Sequence, residues 1–226
     1  MSDLLEAIEI ETAPNPTAAV IWLHGLGADG NDFAPIVPEL QLRGAPQIRF
    51  VFPHAPMMPV TINNGHVMRA WYDVSFGDLE GKTKRADEAG VRASQASVGH
   101  LIEREITRGI SARRIVVAGF SQGGAIALQT GLRYPQRIAG IMALSTYLPL
   151  ADRLEAEAAP ANKDVPIYYA HGTYDPVIPV AMATDSRDKL AASGYQPEWH
   201  EYPMQHSVCA EEVAAISAWL RTVLAH

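Results

Sequence analysis

The sequence predicts an α/β fold built on a central, mostly parallel sheet with helices on both faces. Short apolar runs rich in β-branched residues alternate with longer amphipathic ones. Runs such as Ile115-Val116-Val117-Ala118 are apolar without interruption, as strands covered on both faces are. The size fits one domain spanning 1–226: 226 residues, 48% hydrophobic and 19% charged, bury roughly 70 to 75% of the unfolded surface in a single core.

In chain order, Ile8 to Thr12 is a weak strand candidate, and Ala19 to His24 is the first strong one. A helix is expected over about Phe33 to Gln41, then a strand from Ile48 to Pro53. Ala55 to Arg85, with Pro56, Pro59, Asn63-Asn64-Gly65 and Gly77, reads as a long irregular stretch, the kind that forms pocket walls. A helical pattern follows from Ala86 to Thr107, a strand from Arg114 to Ala118, a helix from Gly123 to Tyr134 and a strand from Gly140 to Ser145. A second irregular stretch, Thr146 to Val165, precedes the strand Ile167 to His171. The chain closes with a helix over Val180 to Ser193, a strand from Glu198 to Tyr202 and a helix over Glu211 to Leu224.

Composition excludes several functions. Acidic residues outnumber basic ones, 25 to 18, for a formal charge of −7, and no Lys/Arg block could follow a phosphate backbone. Nucleic acid and stable membrane insertion are therefore not expected. Cys209 is the one cysteine, so no internal disulfide forms. The N-terminal residues lack the basic and apolar regions of a secretion signal, and a cytoplasmic location is expected. Neither H-E-x-x-H nor paired-cysteine spacing occurs, so no catalytic metal is expected.

After the first strong strand, "HGLGADGND" contains a literal G-x-G-x-x-G at Gly25, Gly27 and Gly30. A dinucleotide site needs a helix starting at those glycines and an acid at the end of the next strand. Pro35 and Pro38 occupy the first turns of any such helix, Asp29 and Asp32 would face the pyrophosphate, and Phe50 to His54 carries no acid. The fingerprint fails on context.

Chemistry enters with "AGFSQGGA". Gly119-Phe120-Ser121-Gln122-Gly123 follows a buried strand and opens a helix, the order of a nucleophile elbow that exposes a serine at the sheet's C-terminal edge. Glycines are needed at 119 and 123 because side chains there would collide with the neighbouring helix and strand. A serine needs a base, and the base an orienting acid. In the order this elbow demands, Asp175 lies four residues past the strand ending at His171, and His206 lies just past the last strand. The other histidines and acids do not meet that order; His24 and His171, each at a strand end before Gly, read as loop braces.

With these pieces in place, "WLHGLGADG", "FPHAPMMPVTIN", "WYD", "GFSQGGAIAL", "ALSTYLP", "HGTYDPVIP" and "YPMQH" resemble, in order across residues 22 to 206, the carboxylesterase/acyl-protein thioesterase family of small α/β-hydrolases. The resemblance implies an α/β-hydrolase fold, hydrolysis of carboxylic esters or thioesters by Ser121, Asp175 and His206, and an oxyanion hole from the N–H groups of Leu26 and Gln122. It further implies no cofactor and homodimers in some members. The glycines at 25 and 27 then serve a tight turn that brings Leu26 beside the elbow. Arg69-Ala70 stands where the family usually has Pro-Ser, and Gln205 where Gly is frequent among bacterial members.

Only about twenty residues separate the strand ending at Ser145 from the next, too few for a cap domain, so the acyl group is expected in an open groove. Met57, Met58, Val60, Trp71, Tyr147 and Leu148 are the expected walls. No basic cluster marks a polyanionic substrate, which favours a simple ester; acyl-protein thioesterase or lysophospholipase-type activity on longer chains is the alternative.

Overall fold

The computed structural model describes residues 4–75, 77 and 87–225. Among them, seven strands form the central sheet in the order β1-β3-β2-β6-β7-β8-β9. These are β1 (Ala7–Glu11), β2 (Ala18–Leu23), β3 (Ile48–Pro53), β6 (Ile115–Phe120), β7 (Gly140–Leu144), β8 (Ile167–Gly172) and β9 (Glu198–Tyr202), with β4 (Met57–Val60) and β5 (His66–Arg69) pairing apart. Every pairing in the central sheet is parallel except that of β1 with β3. The α/β-hydrolase architecture expected from the sequence is the one observed.

The uninterrupted apolar strands have a simple cause. Successive strand residues point to opposite faces, and both faces are core. Ala19, Ile21 and Leu23 of β2 pack with Val91, Val98, Leu101 and Ile102 of the helix Glu88–Thr107, in the same layer as Ala125 to Leu128. Ala18, Val20 and Trp22 pack on the other side with Ile216, Trp219 and Leu220 of the C-terminal helix Ala210–Val223. The remaining helices of note are Ile36–Glu39, Gln122–Arg133, Leu154–Glu157 and Val180–Ala192; in chain order the six are α1 to α6.

Three expectations need correction. The helix expected over Phe33 to Gln41 shrinks to α1, Ile36–Glu39. Pro38 has no N–H to extend the ladder, and Gln41 turns into the left-handed region at φ 46°. Within the stretch read as irregular, β4 and β5 form an antiparallel hairpin, Met57 opposite Arg69 and Val60 opposite His66. Asn64 and Gly65 turn the chain with φ of 56° and 76°, conformations that Asn and Gly tolerate best. Pro59 fits because a two-stranded ribbon is all edge. Residues 78–86, the end of that stretch and the expected start of the helix at Ala86, lie outside the described residues; the helix α2 is described from its cap, Asp87, whose carboxylate accepts from Gly90 N at 2.9 Å.

The third correction concerns Thr146 to Val165, which is a packed strap containing α4 (Leu154–Glu157) and two single 3₁₀ turns. Buried Asn162 ties it down: its Oδ1 accepts from Ile138 N at 3.0 Å, and its Nδ2 donates to Tyr134 O at 2.7 Å and Gln136 O at 2.9 Å. No cap domain is inserted there. Among the described residues no helix is long and apolar enough to cross a membrane. Asn162→Ala is expected to destabilise the fold by about 1–3 kcal/mol for each backbone group left buried and unpaired. Urea denaturation measures it, and a loss below about 0.5 kcal/mol contradicts the assignment.

Candidate active site

The site forms where β6 hands over to α3 (Gln122–Arg133). Ser121 occupies the turn with φ 54° and ψ −122°, a conformation that costs a non-glycine residue free energy and persists only where its surroundings enforce it. They do so on three sides. Ser121 N donates to Leu144 O at 2.9 Å, and Ser121 O accepts from Ala125 N at 3.1 Å and Thr146 Oγ1 at 2.6 Å. A Cβ on Gly119 would lie 2.2 Å from Gly123 O, and one on Gly123 would lie 2.5 Å from both Leu23 O and His24 O. Glycine at these two positions lets helix and strands approach closely enough to hold the turn.

Two loops deliver partners to Ser121. Asp175 sits in the turn after β8, its side chain fully buried. Its Oδ1 accepts from Val177 N at 2.8 Å and Ile178 N at 2.9 Å, while Oδ2 accepts from His206 Nδ1 at 2.7 Å. Because Nδ1 donates to a carboxylate, Nε2 is the ring's acceptor, and it lies 2.9 Å from Ser121 Oγ. Phe120 packs on the His206 ring at 4.7 Å between centroids. The structure thus brings Ser121, His206 and Asp175 into one continuous hydrogen-bonded chain. Burial alone would push the Asp175 carboxyl upward, but the hydrogen bonds from His206, Ile178 and Val177 outweigh it and hold the carboxyl below its usual value.

The two other strand-end histidines do serve as braces. His171 Nε2 donates to Ile178 O at 2.9 Å and lies 3.5 Å from Asp175 Oδ2, beneath the acid's loop. Burial lowers the pKa of both His171 and His24, which keeps the rings neutral. His24 Nε2 accepts from Ala55 N at 3.0 Å, and Nδ1 lies 2.7 Å from Gly25 O.

The glycine-rich loop holds its turn by other contacts than a helix start. Gly27, at φ 77°, donates its N–H to Arg69 O at 2.9 Å, and Gly30 N donates to His54 Nδ1 at 3.1 Å. Leu26 and Gln122 both line the cleft that exposes Ser121. Gln122 opens its helix, so its N–H belongs to the four first-turn donors without an intrahelical acceptor.

That cleft, of about 220 Å³, is walled by Leu26, Ile62, Tyr72, Val74, Tyr147, Val177 and Ile178, with Asn63 at its edge. Of the six expected wall residues only Tyr147 is in it. Trp71 turns inward, its Nε1 donating to His24 O at 2.9 Å, and the next residue, Tyr72, faces the cleft with its hydroxyl 2.6 Å from that of Tyr147. Leu148 is core. Met58 and Val60 lie one layer behind the wall, in a small cluster with Ala70 and Val74 that also supports Leu26 and Ile62. Met57 is on the opposite side of the hairpin, 58% exposed. Val177 and Ile178 lie two and three residues past Asp175, so their only sequence signal was proximity to the acid. A larger hollow between Leu154 and Tyr195 holds none of these groups.

The departures at 69, 70 and 205 are accommodated. Arg69 Nη1 donates to Ala55 O at 2.8 Å, Ala70 is buried, and Gln205 does not occupy a left-handed conformation that would demand glycine.

A strained serine elbow at the C-terminal edge of a parallel sheet, followed in the chain by an acid loop and a histidine loop, defines a serine hydrolase of the α/β-hydrolase class. The phospholipase/carboxylesterase family model matches residues 6–224, and the chain belongs to that family. It is accordingly an enzyme that hydrolyses esters or thioesters. Among its relatives, acyl-protein thioesterase 1 of Neurospora crassa is 44% identical over 211 residues, covering 90% of this chain and 86% of that protein. Solved structures agree. Arabidopsis thaliana SOBER1 superposes with a TM-score of 0.83 at 30% identity, covering 92% of this chain and 99% of the other. Zea mays acyl-protein thioesterase 2 gives 0.81 at 28% identity, covering 97% and 100%.

The depressed Asp175 pKa has a testable sign. A carboxyl that is more acidic in the folded than in the unfolded chain stabilises the fold above the unfolded value, and that contribution is lost as pH falls through the folded one. The stability difference between wild type and Asp175→Asn is therefore expected to shrink as pH falls from about 5 to about 3. A difference that stays constant over that range contradicts it.

Proposed function

We propose that Ser121 is the nucleophile, His206 the general base and acid, and Asp175 the residue that orients the imidazole. The carrying observation is the hydrogen-bonded chain from Asp175 through His206 to Ser121 Oγ at the mouth of an apolar cleft. Ser121 Oγ attacks the acyl carbonyl while its proton passes to His206 Nε2; the imidazolium, stabilised by Asp175, then protonates the leaving alcohol or thiol. Water enters by the reverse route and releases the acid. The N–H groups of Leu26 and Gln122 receive the oxyanion, a contribution of about 2.7–4 kcal/mol for each donor. All of these groups come from one chain, and none of the steps calls for a cofactor.

For the substrate, we propose an acyl ester or thioester whose apolar chain lies along Ile62, Val74, Tyr147, Val177 and Ile178. Beside Ser121 and Gln122, the described lining residues offer only the Asn63 side chain and two paired phenols as polar groups, and no Lys or Arg is among them, so a hydrocarbon chain suits the wall. The relatives named acyl-protein thioesterase support a thioester leaving group on a macromolecule, which an uncapped cleft admits. The net charge of −7 opposes nucleic acid as a partner. The cytoplasm is the compartment we propose.

Ser121→Ala is expected to abolish turnover of p-nitrophenyl esters and acyl thioesters and to prevent labelling by a fluorophosphonate; retained labelling overturns the assignment. Val74→Phe is expected to fill the cleft. Its kcat/KM for an octanoyl ester should fall at least tenfold while that for an acetyl ester changes little, since each methylene excluded from the wall forfeits about 0.8 kcal/mol. An equal loss on both esters contradicts the acyl path.

A further inference from the structure

His24 makes two hydrogen bonds that fix its tautomer. Nε2 receives the N–H of Ala55 at 3.0 Å and so carries no proton; the proton is on Nδ1, which donates to Gly25 O at 2.7 Å. The carbonyl it holds belongs to the Gly25–Leu26 peptide unit. A trans peptide is planar, with its C=O and N–H pointing in opposite directions, and no cis peptide occurs among the described residues. Holding Gly25 O on one side therefore fixes Leu26 N–H on the other. The preceding unit is held too: His24 O accepts from Trp71 Nε1 at 2.9 Å. Trp71 is itself anchored, its N–H donating to Gln122 Oε1 at 2.8 Å and its carbonyl accepting from Ser94 Oγ. Gln122 Nε2 donates onward to Tyr72 O at 2.7 Å. Gly25 abuts the elbow, where an added Cβ would lie 3.5 Å from Ser121 Cβ.

We propose that His24 is a positioning residue for the reaction: its Nδ1–H···O=C bond sets the plane of the Gly25–Leu26 peptide so that Leu26 N–H is aligned for the oxyanion before substrate arrives. Glycine at 25 and at 27 leaves this loop conformationally free, and a peptide rotated about its flanking bonds would present a carbonyl oxygen where the oxyanion needs a donor. The neutral ring, kept so by burial, is the form that can donate from Nδ1 while accepting at Nε2. Trp71 assists through the adjoining peptide, and Gln122 ties this frame to the helix that supplies the second donor. The inference rests on the assignment of Leu26 and Gln122 N–H to the oxyanion.

Two near-isosteric variants separate the two bonds of His24. The amide nitrogen of Asn in His24→Asn stands near the position of Nδ1 and retains a donor for Gly25 O; the amide oxygen of Gln in His24→Gln stands near Nε2 and retains an acceptor for Ala55. His24→Gln is expected to lower kcat about 100-fold, the loss typical of one oxyanion donor, at nearly unchanged KM. His24→Asn should lose less than tenfold. Affinity for an alkyl boronic acid, which forms a tetrahedral adduct on the serine, should fall in parallel with kcat. A kcat for His24→Asn at or below that of His24→Gln, or boronate affinity unchanged in both, overturns the proposal, because a ring that merely supports Ala55 gives that order. If neither variant folds, Trp71→Phe decides: about a tenfold loss of kcat at unchanged KM supports the proposal and an unchanged kcat overturns it. Ser121→Ala run alongside keeps the two questions apart. Turnover retained there removes the serine mechanism itself, whereas turnover lost there with no response at His24 removes only the role given to His24.

Discussion

Leu23, the last residue of β2, pairs in parallel with Gly119 on β6, and the active site depends on that register. Where two neighbouring parallel strands end side by side, the loops that leave them start side by side. One is His24 to Gly27 and the other Phe120 to Gln122. The approach is so close that Gly123 has no room for a side chain against the carbonyls of Leu23 and His24. A shift of this pairing by one residue would invert the faces of β2, bringing Trp22 into the layer of Ile21, and would separate the two loops. Core packing on both faces of the sheet thus fixes the position of the loop after β2 relative to Ser121.

The rest of the machinery follows from the same edge. β8 and β9 lie beyond β7 in the sheet, and the loops leaving their C-terminal ends bring Asp175 and His206 to Ser121. The acid's loop is stiffened locally. Two backbone amides and His206 hold the Asp175 carboxylate, and His171 lies beneath. Preorganisation of this kind places the cost of ordering in the folding of the protein, so that little of it remains when the transition state forms.

What could be read from the sequence divides along a physical line. The fold class, the elbow and the chain order of Ser121, Asp175 and His206 depend on strand identity and on what immediately follows a strand, which residue type and short-range spacing record. The family resemblance drawn from seven short segments agrees with the family match. Cleft walls depend on which way a loop residue turns. Trp71 and Tyr72 are neighbours of similar character, yet one goes inward to His24 and the other into the cleft. Periodicity carries no signal in a bend of that length. The hairpin of β4 and β5 was legible in Asn64-Gly65 but masked by Pro56 and Pro59, and the short α1 shows two prolines outweighing an apolar pattern.

The proposed mechanism requires Leu26 N–H and Gln122 N–H to converge on the oxygen of a tetrahedral adduct formed at Ser121. A crystal structure of the protein inactivated by a long-chain alkyl fluorophosphonate tests it most directly. A phosphoryl oxygen is expected within about 3 Å of both amide nitrogens, with the alkyl chain against Ile62 and Val74 and the His24 to Gly25 O bond intact. An adduct whose oxygen faces solvent or a side chain, with Leu26 N–H turned elsewhere, would contradict it.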